Sequence, residues 1–280
     1  MTGKHAEPEH FGQCAFTGSG VLNTGLALSE VSGHRYRSDQ QLRSGVSGKA
    51  GHKDEFIYCH ETRHPIVPTE AERCAVTGHL VRPGVLENCA ASGKAVLPVE
   101  LARCSVGGQR VLKKLLVTSS ISGAQLLPRV AVKSVADQYC APAEAKTCMW
   151  SGRRAHPDDM RECALTGIPF HVEFASSGDE PHLQPLAELL DGLRRTADAP
   201  DHWDDIASKT MTALRGGRCR VETAHASPDR RHLAICSEVR TLLGFRVHQA
   251  GMLYSIEDGA IVGRIAMGKR TPRGWVGATH

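Results

Sequence analysis

The residues of this sequence best suited to chemistry are its cysteines. There are ten, and Cys59, Cys74, Cys89 and Cys104 follow one another at intervals of 15, with His60, His64 and His79 close by. Thiolates and imidazoles are the ligands of structural zinc, which takes four of them in a tetrahedron. A site here would have to draw one thiolate from each of several units. Cys140, Cys148, His156 and Cys163 make a second candidate set. The plainer role is packing, because a free cysteine is small, weakly polar and commonly buried. Ser29, Ser44 and Ser119 fall in the same phase, and serine is a poor zinc ligand but a tolerable small substitute. The expectation is therefore no cofactor, with zinc as the alternative.

The elements that must position these residues repeat with a period of 15. From Cys14, steps of 15 land on Ser29, Ser44, Cys59, Cys74, Cys89, Cys104 and Ser119; after a unit of 14 at Ser134 the phase resumes at Cys148 and Cys163. The consensus is C-x-V-[ST]-G-x-x-V-L-P-x-E-L-x-R. A small residue and Gly at positions 4 and 5 mark a tight hairpin turn, since Gly accepts positive φ. A two-residue turn there sets position 3 opposite 6 and position 1 opposite 8. The head residue and the apolar residues at 3 and 8 then share one face. Proline at position 10 (Pro68, Pro83, Pro98, Pro128, Pro157) ends the second strand, and P-x-E-L reads as a helical turn. A single hairpin is marginal in water, so units must pack on neighbours. A row of hairpins and a stacked coil both fit the period, and the proline favours the row.

The composition changes after Phe174. Pro185 to Ala197 has helical spacing, with Leu186, Leu189, Leu190 and Leu193 on one side, and a second helix is expected over Trp203 to Leu214, capped by Asp201. Strands are expected over Cys219–Ala226, His232–Val239, Phe245–Ile256 and Ala260–Met267, joined at Ser227-Pro228-Asp229 and Glu257-Asp258-Gly259. The fold class is α+β: a leader over 1–13, a tandem hairpin array over 14–177, and a domain of two helices on a four-stranded antiparallel sheet over 178–280.

The net charge of +4 does not by itself imply a nucleic-acid partner. Lys49, Lys94, Arg110 and Arg153 follow the turns, and Lys113 and Lys114 lie beside Arg110, so nucleic acid is an alternative partner. His34, His79, Ala124 and Ile168 interrupt that stripe, and aromatic stacking residues are scarce in the array. No apolar run is long enough to span a membrane, and the first ten residues lack the apolar core of a signal peptide. The thiols are read as reduced and the protein as cytoplasmic.

The hairpin pattern C-x-x-[ST]-G resembles the zinc knuckle, C-x-x-C-G, with the second ligand replaced by Ser or Thr. The run from Cys74 to Lys133, with S-E-V-R-T-L-L-G and Y-S-I-E-D-G-A-I-V-G-R-I further on, resembles cysteine-containing repeats of some bacterial Swi/Snf-type helicases and the segment after them. That resemblance implies an accessory module, and it transfers no activity, because no phosphate loop or D-E-x-H is present. Asp229 with Glu238-Val-Arg240 resembles the acidic pair of metal-dependent nucleases, whose second half is usually Glu-x-Lys. The turn around Asp229 already accounts for that residue. The reading is a non-enzymatic interaction scaffold with a protein partner. Its alternative is a zinc-stabilised nucleic-acid-binding accessory of a helicase or remodelling system.

Overall fold

A computed structural model describes residues 8–193, 203–215, 217–241 and 246–278. The fold is α+β, and the described residues form eleven two-stranded antiparallel sheets in tandem, then a five-stranded sheet and two helices. The turn headed by Cys104 shows how one hairpin is made. Leu101, Ala102 and Arg103 pair with Leu112, Val111 and Arg110. The Cys104 N–H donates to the Gln109 carbonyl (2.9 Å), and the Gly108 N–H donates back to the Cys104 carbonyl (3.0 Å). The connection is thus a knuckle of five residues with its glycine left-handed (φ 67°), not a two-residue turn.

That wider turn corrects the expected face. Position 1 lies opposite position 6, so position 3 sits at the tip of the knuckle instead of beside position 8. Val46, Val76, Val106 and Ile121, all at position 3, are 38–50% exposed, whereas Val96 and Val111 at position 8 are fully buried. Proline does begin short 3-10 helices, at Pro68–Glu70, Pro98–Glu100 and Pro157–Asp159, because its fixed φ suits a first helical position. The same pattern opens the chain: Pro8–His10 is a 3-10 turn and Phe11–Gln13 pairs with Gly20–Leu22. Residues 8–13, expected as leader, therefore form half of the first hairpin.

Successive hairpins join through the backbone. The N–H at position 2 of one unit donates to the carbonyl at position 7 of the next, as in Glu30 to Ala50 (2.8 Å), Ala75 to Ala95 (3.0 Å) and Ala90 to Arg110 (3.0 Å). From the Cys14 hairpin to the Cys104 hairpin this is a row, each hairpin hooked to its successor. The last hook differs: Ala164 donates to Pro181 (3.0 Å) and Leu183 donates to Cys163 Sγ (3.4 Å), so a non-repeat segment closes the row.

The chain divides into two compact units, Met1–Val117 and Thr118–His280. The division falls inside the row because the final hairpins share a core with the sheet. Trp150, Ile168 and Phe170 pack with Leu183, Leu186, Leu189 and Leu190, and with Ala234, Cys236 and Leu253. The sheet runs in order through β1 (Arg218–Ala226), β2 (His232–Thr241), β3 (Arg246–Ser255), β4 (Ala260–Thr271) and β5 (Gly274–Gly277). β5 is the strand the sequence pattern missed. Helix α1 (Gln184–Asp191) covers one face with those hairpins, and α2 (Trp203–Ala213) covers the other through Ile206. α1 stops well short of the expected Ala197, because Gly192 turns left-handed (φ 74°) and the Arg270 guanidinium caps the carbonyls of Leu190 and Leu189 (2.7 and 3.0 Å). Leu193, expected on the apolar side, is 78% exposed. Asp201, the expected cap of α2, lies outside the described residues.

Candidate functional site

The knuckles gather most of the candidate residues, and their head side chains are buried. Each head side chain faces inward at the end of a strand, where it meets two sets of unpaired backbone N–H groups. One set belongs to its own turn and the other to position 9 of the next hairpin. Buried N–H groups must be satisfied, so the head residue is an acceptor before it is anything else.

Cysteine meets the demand directly. The N–H groups of Arg82, Leu97, Leu112 and His171 donate to the sulfurs of Cys59, Cys74, Cys89 and Cys148 at 3.3, 3.5, 3.3 and 3.3 Å, in each case 23 residues on. The Thr77 N–H adds a bond to Cys74 from within the turn (3.5 Å). Burial raises the Cys74 thiol pKa. The Thr77 hydroxyl and the N–H groups of Thr77, Leu97 and Val76 more than reverse this and lower it to about 7. Cys14 and Cys89 are lowered to about 7 for the same reasons, by Thr17 and by Ser92 with Leu112. The turn is thin, so these sulfurs are covered without being deep.

Serine meets the demand through a second residue. Ser29 Oγ accepts from the N–H groups of Val31 and Ser32 (3.1 and 3.2 Å), then donates its own proton to the Glu55 carboxylate (2.7 Å). Glu55 also accepts the His52 N–H (2.7 Å), the group a cysteine would have taken. Ser44 donates to Glu70 (2.5 Å), which accepts the Val67 N–H (3.3 Å). Ser119 donates to Glu144 (2.7 Å), which accepts the Ala141 N–H (2.6 Å). At Ser134 the acid is Asp159, whose carboxylate accepts the Val135 N–H (3.0 Å). Burial raises Glu55 and Glu70, but the hydroxyl and N–H donors outweigh it and hold both below the usual carboxylate range. These acids were not singled out from the sequence, although the spacing of 26 from Ser29 and Ser44 was there to be read.

The zinc candidates are not brought together as a site. Cys59, Cys74, Cys89 and Cys104 head four separate knuckles, one thiol to each. Cys140 is not a head residue: it is seventh in the 14-residue unit, the place of position 8 elsewhere, because the turn there is one residue shorter and uses Asp137 (φ 60°) in place of glycine. His156 is fully buried and receives the Asp158 N–H at Nδ1, with Ser120 Oγ at its Nε2 (2.9 Å). His60 and His79 stack face to face at 3.7 Å on the surface of neighbouring hairpins. Among the described residues no group of three or more His, Cys, Asp or Glu side chains is placed to hold a metal ion. A tetrahedral site needs four donors within reach of one ion.

The other candidates are dispersed. Lys49, Lys94 and Arg153 are exposed just after their glycines, and Lys113 and Lys114 are exposed on a 3-10 turn. Arg110 is held by Glu87 (2.7 Å) and the Pro98 carbonyl (3.1 Å). Asp229 accepts from Ser227 Oγ (2.5 Å) and the Arg231 N–H (3.1 Å), and its carboxylate abuts Gly152 of the Cys148 knuckle. Glu238 pairs with Arg240 Nε (2.7 Å). Leu233, at the turn end of β2, is five residues from Glu238, about 17 Å at ~3.3 Å per residue. The two carboxylates therefore do not share a site. Cys236 is buried beside Glu222, and burial with that carboxylate pushes its thiol up to about 12, away from reactivity. No family model, curated protein or solved structure matches this chain.

Proposed function

We propose that the protein is an interaction scaffold whose docking surface is the row of knuckle tips. One observation carries this reading. At the last two knuckles, position 3 is occupied by Trp150 and Leu165, which pack into the core that the chain's own sheet completes. At Val46, Val76 and Val106 the same position is 42, 39 and 38% exposed. A knuckle tip in this molecule is thus a surface that accepts an apolar sheet or helix face, and the earlier tips offer the same chemistry to a partner. Exposed apolar residues scattered singly need no explanation, but recurrence at one position of a repeat does. The resemblance to helicase-attached repeats would make that partner part of a DNA-handling assembly, with the scaffold as an accessory.

The test is the full chain with Val46, Val76 and Val106 all replaced by Glu. Exposed substitutions of this kind cost within about 0.5 kcal/mol each, so the melting temperature should hardly move. Proteins captured from a lysate by the original chain should be lost on the variant. Equal capture by both chains would remove the tips from consideration. Binding to a short DNA duplex, measured across a salt series, separates the nucleic-acid alternative. A steep salt dependence that Lys49→Ala, Lys94→Ala and Arg153→Ala together abolish would put that reading first.

A further inference from the structure

Pro181 and Leu183 close the row at one end, whereas among the described residues nothing equivalent sits on the first hairpin. At the closed end, Pro181 and Leu183 reproduce the two bonds by which a hairpin hooks a cysteine-headed predecessor, as at Cys59, Cys74, Cys89 and Cys148: a carbonyl for the position-2 N–H, and an N–H for the head sulfur. Leu183 is fully buried in doing so. The first hairpin carries the equivalent groups. Phe11 pairs with Leu22, and Gln13 with Gly20, in the register in which Leu101 pairs with Leu112 and Arg103 with Arg110. In the later hairpin, the Arg110 carbonyl accepts from Ala90 and the Leu112 N–H donates to Cys89. The Gly20 carbonyl and the Leu22 N–H face outward in the same way, and among the described residues nothing bonds to either.

Burial tells the same story. Position 8 is buried in all ten later hairpins, from Tyr36 through Val96 and Val111 to Phe170, whereas Val21, the first, is only partly buried, as is Leu22 at position 9. Phe11, across the hairpin, is 44% exposed. The first hairpin therefore has the shape of a receiving hairpin, and among the described residues no knuckle covers it.

We infer that the Phe11–Leu22 hairpin is a socket for a knuckle turn of this same unit, headed by Cys or Ser, delivered by another polypeptide. The head sulfur or hydroxyl accepts the Leu22 N–H, the next N–H donates to the Gly20 carbonyl, and the turn covers Val21 and Leu22. The occupant is specified by what fills this place in the later hairpins. Its role is end-to-end extension of the row, separate from docking at the knuckle tips.

The test uses the full chain and a synthetic peptide with the sequence of Cys89–Arg103, followed by amide NMR. Saturable shifts at Gly20, Val21 and Leu22, with slowed exchange of the Leu22 amide, are expected. Replacing the peptide's cysteine with alanine should weaken binding severalfold. Leu22→Pro is the decisive variant. Leu22 already has φ −54°, so proline fits the backbone and removes the outward N–H, and Leu22→Ala, which removes the side chain but keeps the N–H, is its control. With proline, binding should fall at least tenfold while the melting temperature holds. Equal binding by Leu22→Pro, no shift at millimolar peptide, or a Leu22 amide already protected in the chain alone would each overturn the inference. Dimers in sedimentation that dissolve on Phe11→Glu would also overturn it, by showing that a second copy's first hairpin is the occupant.

Discussion

Ser44 and Cys89 head turns of the same shape, yet they hold the next hairpin differently. Cys89 accepts the Leu112 N–H on sulfur at 3.3 Å, and the residue 26 positions on is Leu115. Ser44 leaves the corresponding N–H, that of Val67, to the Glu70 carboxylate, 26 positions on, and binds the same carboxylate with its hydroxyl. The longer C–S bond and larger sulfur reach across the gap; the hydroxyl does not. The hydroxyl also carries a proton that must be donated somewhere when buried, whereas a thiol is a weak donor and tolerates having no acceptor. Every serine head described above has its acid in the next unit, whereas a cysteine head accepts the N–H on sulfur even where an acid is present 26 positions on, as at Cys74 with Glu100.

The comparison breaks most visibly at the acid. Glu70→Ala leaves both the Ser44 hydroxyl and the Val67 N–H unbonded, and should cost roughly 3 kcal/mol at ~1–3 kcal/mol for each buried group. Denaturant unfolding measures it, and a loss comparable to that of an exposed Glu72→Ala would mean the relay is ornamental. Next is Cys89→Ser, expected to cost about 2 kcal/mol because the hydroxyl arrives without its acid. Adding Leu115→Glu supplies one, and the double variant should recover at least ~1 kcal/mol of that loss. If Leu115→Glu is equally harmful in both backgrounds, head and acid are independent and the pairing is coincidence.

pH sharpens the contrast, because the two kinds of turn respond at opposite ends of the scale. Glu55 and Glu70 are lowered on folding, so their contribution is present above the unfolded value of about 4.3 and is lost as pH falls through the folded one. Cys14, Cys74 and Cys89 are lowered to about 7, so their contribution is complete above the unfolded value of ~8.5 and fades as pH falls toward 7. Thermal melts should therefore rise between pH 7 and ~8.5, and fall again below ~4.3. Cys74→Ala together with Cys89→Ala should flatten the first trend alone, and Glu70→Gln should weaken the second alone.

Much of this was legible in the sequence. The period, the glycine at position 5 and the proline at position 10 each impose a local backbone shape, and all three were readable without packing. The face of each hairpin was misjudged because a five-residue knuckle and a two-residue turn differ in which positions they set opposite. The glycine does not distinguish them. The relay acids escaped notice because each sits in the unit after its serine, where a consensus averages Glu55, Glu70, Val85, Glu100 and Leu115 into one column. The short strand Gly274–Gly277 had glycine at both ends and only Trp275 and Val276 between, too little pattern to register. Leu193 was misplaced because the apolar spacing ran past Gly192, whose left-handed conformation had already ended the helix.

The smallest expected effect concerns the one head cysteine whose knuckle lacks its glycine. In the Cys59 turn, position 5 is Arg63, held at φ 58° where Gly78 and Gly93 take 75° and 69° in the next two units. An L-residue in this region costs roughly 1–2 kcal/mol, part of which glycine would return as conformational freedom in the unfolded chain. Arg63→Gly should therefore stabilise by about 0.5–1 kcal/mol. Arg63→Ala, which keeps the strain, should not. The Cys59 sulfur would keep the Arg82 N–H in both variants, so its thiol titration should be unchanged while stability moves. Stability gained equally by alanine and glycine would locate the strain in the arginine side chain and not in the left-handed backbone that the knuckle imposes.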